Sequence, residues 1–219
     1  MRHVFLDRPH KANALDTQAL IQLHSQFEQL RDDADVRVVV LAGKGRTFCG
    51  GADVAELQAL TAQTAGAFVE RIHQVCAAIR ELPVPVVAQL HGAVIGAGLE
   101  IAAACDLRVA AEGTKFSMPE VRLGIPSVVE AALLPRLMGS GRAAWLVLTG
   151  EAIDARRALE WGLIEQIAES ADALVQRLLA ADKEALRMQK QLLQLWEEAS
   201  LTTSVMASIE RFAQAHRKG

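Results

Sequence analysis

The run Val36-Arg37-Val38-Val39-Val40-Leu41 is nearly all apolar. A strand without a polar face has to be covered on both sides, as happens in the middle of a parallel sheet flanked by helices. Shorter β-branched runs at residues 2–6, 84–90 and 107–110 alternate with longer helical patterns. That succession points to α/β or α+β organisation and away from a pure helical bundle. Asp16 is positioned to cap an apolar-periodic helix through Leu20, Leu23, Phe27 and Leu30, and a second helix is expected over residues 61–80, closed by Pro83 and Pro85.

From about Glu169 the pattern becomes wholly helical, with Leu174, Leu178, Leu186, Leu192, Leu193 and Leu195 supplying apolar faces. The chain therefore divides on paper into an α/β core over residues 1–168 and a helical region over residues 169–219. At 219 residues and 51% hydrophobic, it is long enough to bury a sizeable core. With 23 Lys and Arg against 26 Asp and Glu, it lacks the positive excess that phosphate backbones demand, so nucleic acid is not an expected partner. No segment approaches the ~20 apolar residues of a membrane span, and the first residues carry charge at once. Cys49, Cys76 and Cys105 form an odd set without metal-binding spacing. They read as reduced thiols of a cytoplasmic protein, and no metal is expected.

Two glycine-bearing turns follow predicted strands. In Phe48-Cys49-Gly50-Gly51-Ala52-Asp53-Val54, adjacent glycines let the backbone turn sharply and face its N–H groups toward a ligand. The plainer alternative is a strand-to-helix turn capped by Asp53. The second turn, His91-Gly92-Ala93-Val94-Ile95-Gly96-Ala97-Gly98-Leu99-Glu100, runs small residues into a helix N-terminus, where unpaired N–H donors gather. Its glycine spacing is not that of a dinucleotide site, and no P-loop lysine accompanies it.

Glu100 is a lone carboxylate in the apolar run from Leu99 to Cys105. A buried acid is costly unless it is paired or functional; its structural alternative is an ion pair with an arginine such as Arg108. Twenty positions on stands a second acid, Glu120, in Phe116-Ser117-Met118-Pro119-Glu120-Val121-Arg122-Leu123-Gly124-Ile125-Pro126. Ser127 and Glu130 have capping-box spacing ahead of an apolar helix, which assigns Glu130 a structural role. His91 also reads as structural.

In their order, these segments resemble the enoyl-CoA hydratase/isomerase family, or crotonase superfamily. The likeness rests on Leu6-Asp7-Arg8-Pro9, Ala12-Asn13-Ala14-Leu15, Phe48 to Asp53, Gly96 to Glu100, Ala104-Cys105-Asp106-Leu107-Arg108, Phe116 to Gly124, Leu148-Thr149-Gly150 and Ala158 to Ile164. The resemblance implies an α/β spiral of repeated ββα units with a helical C-terminal region that makes trimers, often paired into hexamers. It also implies an acyl-CoA substrate and no separate cofactor, since coenzyme A is part of the substrate.

By motif matching, the Ala52 and Ala97 N–H groups would form an oxyanion hole, and Glu100 and Glu120 would be the catalytic acids of an enoyl-CoA hydratase. Lys11, Ala12, Ala14, Gly51, Asp53 and Val54 would line the CoA and thioester site. An isomerase of the same fold and a catalytically silent acyl-CoA-binding paralogue are the alternatives. Ala97 replaces a glycine of the family pattern, which is harmless if its φ is negative. The usual glycine-rich segment after Pro126 is absent, which narrows the expected acyl pocket near Val128 and Val129. A further strand before residues 2–6 and a further C-terminal helix are also absent, so an exposed sheet edge and a reduced CoA pocket or trimer contact are expected.

Overall fold

The structure is a computed structural model that describes residues 1–215; the last four residues of the expected helical region lie outside it. The described strands are β1 (Arg2–Leu6), β2 (Val39–Gly43), β3 (Val86–Leu90), β4 (Ala93–Ile95), β5 (Leu107–Ala110), β6 (Lys115–Ser117), β7 (Ile153–Asp154) and β8 (Gln166–Ile167). The main sheet is parallel throughout, in the order β1-β2-β3-β5-β8. A smaller sheet, β4-β6-β7, stands beside it. β1 is an edge strand, as expected.

The chain repeats one pattern: a strand of the main sheet, a short strand or bridge in the second layer, then a helix. β3 passes through His91-Gly92 into β4, β5 leads to β6, and after β2 the chain makes an isolated parallel bridge from Cys49 to Val94. The helices that follow β1, β2 and β3 are α1 (Thr17–Arg31), α2 (Val54–Ala59) with α3 (Ala65–Glu81), and α4 (Ala97–Ala104). Asp16 caps α1, its side chain accepting from the Ala19 N–H at 2.7 Å. Leu20, Leu23 and Phe27 of α1 are buried in the same core as Phe68, Ile72, Val75 and Ile79 of α3.

β2 is covered on both faces, as its composition requires. Val39 and Leu41 enter the main core. Val38 and Val40 join Val87 and Val109 on the other face, against Val175 of α8 (Asp172–Ala180) and Ala171, the residue before it. The elements between are α5 (Leu134–Met138), α6 (Ser140–Thr149) and α7 (Ala155–Trp161). Two boundaries shift from expectation. α3 starts at Ala65 because the Thr64 hydroxyl accepts from the Thr61 N–H at 2.9 Å, holding residues 61–64 in a turn. β2 starts at Val39 because the Val36 N–H turns back to the Asp33 carbonyl at 3.1 Å.

The C-terminal helices α9 (Lys183–Glu198) and α10 (Leu201–Ala215) complete the described chain. α9 is tied to the core by a buried ammonium. Lys190, 3% exposed, donates to the Ile79 and Val84 carbonyls at 3.1 and 3.0 Å and lies 2.8 Å from Asp106 Oδ2. Asp106 also accepts from the Val86 N–H at 2.7 Å. One cation thus joins α9 to the end of α3, the start of β3 and the approach to β5. Among the described residues, no helix is long and apolar enough to cross a membrane. Removing one partner of a buried ion pair leaves the other uncompensated, so Lys190→Ala should lower unfolding free energy by about 3 kcal/mol, read from the urea midpoint at constant slope.

Candidate active site

Residues 47–50 lie along β4. Phe48 and Cys49 donate their N–H groups to the His91 and Ala93 carbonyls at 2.8 and 3.0 Å, and Ile95 donates to the Cys49 carbonyl at 3.0 Å. The first turn of α4 then packs onto the same segment. A Cβ on Gly98 would stand 2.5 Å from Cys49 Cβ and 3.1 Å from its carbonyl oxygen, which is closer than side chains approach. The two glycine turns predicted from the sequence are therefore neighbours.

Each turn contains a glycine in the left-handed region followed by an alanine. Gly51 has φ +95° and Gly96 has φ +51°. Ala97 does not have positive φ, so the replacement of the family's glycine there introduces no strain; the unusual conformation belongs to Gly96. Around Ala52, Leu15 donates to the Gly51 carbonyl and Asp53 donates to the Leu15 carbonyl, both at 2.8 Å. In this parallel bridge the N–H of Ala52 points away from Leu15. Ala97 opens α4, where the first N–H groups have no intrahelical acceptor. Among the described residues, neither the Ala52 nor the Ala97 N–H has a hydrogen-bond partner.

A loop from the start of the chain braces the first turn. Asn13, 2% exposed and at φ +55°, accepts from the Arg8 N–H and donates to the Lys44 and Thr47 carbonyls at 2.9 and 2.7 Å. The Gly50 N–H reaches the Ala12 carbonyl at 2.8 Å. The residues assigned to CoA thus fall together, with 11–14 against 50–54. Lys11 and Val54 are exposed. Asp53 is buried, caps α2 by accepting from the Ala55 N–H at 3.0 Å, and lies 3.4 Å from the Arg8 guanidinium. Its carboxylate is committed to structure, as the plainer reading of the turn held. His91 likewise bonds the Gly45 carbonyl at 3.1 Å through Nε2.

The two acids flank the second turn. Glu100, 4% exposed, stands one helical turn after Ala97. The arginine proposed to pair with it is occupied elsewhere. Arg108 is buried, pairs with Glu165 at the surface, and donates to the Leu163 and Cys105 carbonyls at 2.8 and 2.7 Å. Among the described residues Glu100 has instead a single amide, Ala131 N–H, which lies 3.2 Å from Oε1 and is shared with the Val128 carbonyl at 2.9 Å. Burial first, and then the charges of Glu120 and Glu130, push its carboxyl up to about 8 against the opposing pull of that amide. Glu120 begins a 3-10 turn, Glu120–Leu123. Its Oε2 accepts from the Ser127 hydroxyl at 2.8 Å. Its Oε1 lies where a side chain on Gly96 would stand. The second carboxylate is thereby placed against the backbone that leads into Ala97.

The capping box expected at Ser127 and Glu130 does not form. Ser127 is taken by Glu120, and the following 3-10 turn, Val129–Leu133, has no side-chain cap. Glu130 folds inward, 7% exposed, with Oε1 2.7 Å from His73 Nδ1. Sequence reasoning missed this third acid because its partner is 57 positions away. The arrangement offers two unpaired amides from adjoining turns and, beside one of them, carboxyl groups of unequal environment. Such a nest can hold a developing oxyanion while protons move at the neighbouring atoms.

A sequence profile described as Enoyl-CoA hydratase/isomerase matches residues 2–218. The chain belongs to the enoyl-CoA hydratase/isomerase family. It is similar to a probable enoyl-CoA hydratase of Bacillus subtilis, 35% identical over 213 residues, which cover 93% of this chain and 83% of that protein. It is also similar to a crotonyl-CoA hydratase of Syntrophomonas wolfei, 33% identical over 85% of this chain and 75% of the relative. The crystal structure of an enoyl-CoA hydratase from Bacillus anthracis matches it with a TM-score of 0.92 at 30% identity, covering 96% of this chain and 85% of that one. The crotonase-like spiral implied by the sequence is therefore the fold.

Glu100 makes a pH-dependent contribution to stability. Its carboxyl holds its proton to about 8 when folded, against a value of 4.5 for the free side chain. Between those values the unfolded chain releases a proton that the folded chain keeps, so stability falls as pH rises through this window and levels off above it. Glu100→Gln, neutral and of the same shape, should raise unfolding free energy at pH 8 by about 1–3 kcal/mol. The gain should shrink toward pH 5 in paired urea titrations.

Proposed function

We propose that this protein adds water across the double bond of a 2-enoyl-CoA. The observation that carries the reading is the pair of unpartnered Ala52 and Ala97 amides with Glu100 and Glu120 beside them; the names of its relatives support it. The thioester carbonyl oxygen would accept from both amides. That draws electron density from the β carbon, so the oxygen of a water molecule can add there while the π pair moves to the α carbon and the carbonyl as an enolate. One carboxylate takes the proton lost by the water, and the other acid returns one to the α carbon. The atoms balance as substrate plus water.

Such chemistry needs two acids that do not ionise together. An ordinary glutamate, with a pKa of about 4.3, is a poor proton donor at neutral pH. Burial and mutual repulsion allow a pair to hold one proton between them. Fixed amides stabilise the enolate because they are already oriented when charge develops, and losing one such donor typically costs about 2.7–4 kcal/mol. The CoA portion would run past residues 11–14 and 50–54, with Lys11 as the exposed charge available to a phosphate. Assembly into trimers is part of the same proposal. It is supported by the exposed apolar residues Leu201, Ile209 and Phe212 of α10, at 81%, 58% and 69% exposure.

Purified protein given a short 2-enoyl-CoA should abolish the absorbance of the conjugated thioester. Glu100→Gln and Glu120→Gln should each lower kcat by about 10³-fold while the protein stays folded. Gly96→Ala should also be nearly inactive, because a methyl there meets Glu120 Oε1 at an unfavourable φ. Unchanged turnover in both glutamine variants would remove the mechanism. Light scattering checks the assembly, with a monomer counting against a trimer.

A further inference from the structure

Glu130 is the acid that the hydration scheme leaves unused. It lies on the turn Val129–Leu133, which packs between α3 and α4. His73 of α3, with its side chain half exposed, holds Oε1. The other oxygen, Oε2, is buried without an N–H or O–H donor among the described residues, the Cys76 thiol being the remaining side chain that interacts with this carboxyl group. A buried acceptor left unmet costs free energy, so its retention calls for a reason. The backbone at this point is also distorted: Val129 has φ +39°, which a β-branched residue rarely adopts.

The same turn touches Glu100 directly, because the amide bonding Glu100 Oε1 belongs to Ala131, the residue after Glu130. The titratable groups that interact with Glu130 are His73 and Cys76 from α3 and Glu100 of α4; Cys76 in turn faces Cys105, just beyond α4, and Glu100 faces Glu120 from its 3-10 turn. The thiol of Cys76 is raised well above its usual range, by burial first and then by the Glu130 and Glu100 charges. α5, packed on the same turn, carries Arg136, which faces Glu197 at 3.6 Å. His73 is thus the only basic side chain bonded to Glu130 among the described residues.

We propose that Glu130 is a positioning residue for Glu100: anchored by His73, it sets a second carboxyl group beside that of Glu100, while the Ala131 amide that follows it fixes where Glu100 points. Two carboxylates in a dry site repel, so the presence of one makes ionising the other more costly. The inference rests on the reading of Glu100 as an acid of the hydration step, but its test needs no turnover.

Protein labelled with ¹³C at glutamate carboxyl carbons is titrated by NMR, and the Glu100 signal is assigned by its loss in Glu100→Gln. In Glu130→Gln the Glu100 midpoint should fall by about half a pH unit or more. Glu130→Asp, which keeps the charge, should retain more of the elevation. His73→Arg places a permanent cation on Glu130 from a half-exposed site and should lower the midpoint in the same direction. An unmoved midpoint in folded Glu130→Gln overturns the proposal. If that variant does not fold, an unmoved midpoint in folded His73→Arg overturns it. A fall in Glu130→Asp equal to that in Glu130→Gln would assign the effect to packing and would overturn it as well. Titration as expected in a protein that hydrates no enoyl-CoA would sink the hydratase reading and leave the coupling between these acids standing.

Discussion

The contact of Gly98 with Cys49 sets the distance between two turns that are 45 or more residues apart along the chain. With no side chain at position 98, α4 sits directly on the backbone that follows β2. Any side chain there would lift the helix, and with it Ala97, away from Ala52. The parallel bridge from Cys49 to Val94 fixes the other coordinate, sliding the turns into register. Gly51 and Gly96 then take the positive φ values that rotate the following amides outward. Close packing, register and glycine geometry act together, so the amide nest is a property of how two strand-to-helix passes stack.

That nest explains where the acids must be. A helix that begins at Ala97 presents residue 100 on the same side one turn later, so a carboxyl group at that position is buried as a consequence of the packing that makes the nest. Its single amide bond does not offset the loss of water, and the carboxyl responds by holding its proton. Glu120 reaches the other side of the turn from a separate segment, and Gly96 leaves the space it needs. Stability is lost at Glu100 above the normal carboxylate range. This is the kind of cost that is retained where a proton must be available at neutral pH.

Much of this was legible in the sequence, for identifiable reasons. The run from Val36 to Leu41 forced a doubly covered strand. Asp16 announced a helix start because a cap acts over three residues. Glu100 stood out because charge is rare in an apolar helix. The strands β4, β6, β7 and β8 were not legible, since two or three residues carry no periodicity. Ser127 and Glu130 had the spacing of a local motif, yet each found a partner elsewhere: Ser127 the carboxylate of Glu120, Glu130 the imidazole of His73. Lys190 could not be recognised as a core residue because Asp106, Ile79 and Val84 are distant in sequence. Local rules fail where tertiary contacts offer a stronger bond than the neighbouring backbone.

The buried polar residues separate into two groups by how fully they are bonded. Asn13, Asp53, Arg108 and Lys190 each meet several partners, and each joins segments that the fold must hold together. Among the described residues, Glu100 has one weak amide bond, and Glu130 has an oxygen without an N–H or O–H donor. A polar group kept for structure is expected to be saturated, because an unmet bond subtracts from the stability it is there to provide. The Nε atoms of Arg37 and Arg187 are also buried without a partner among the described residues, but their guanidinium ends reach the Ala181 carbonyl and Glu184. Under-saturation of two carboxyl groups that lie beside two free amides therefore marks a part of the molecule shaped by something other than stability. It distinguishes the acids that organise a reaction from the polar residues that organise a fold.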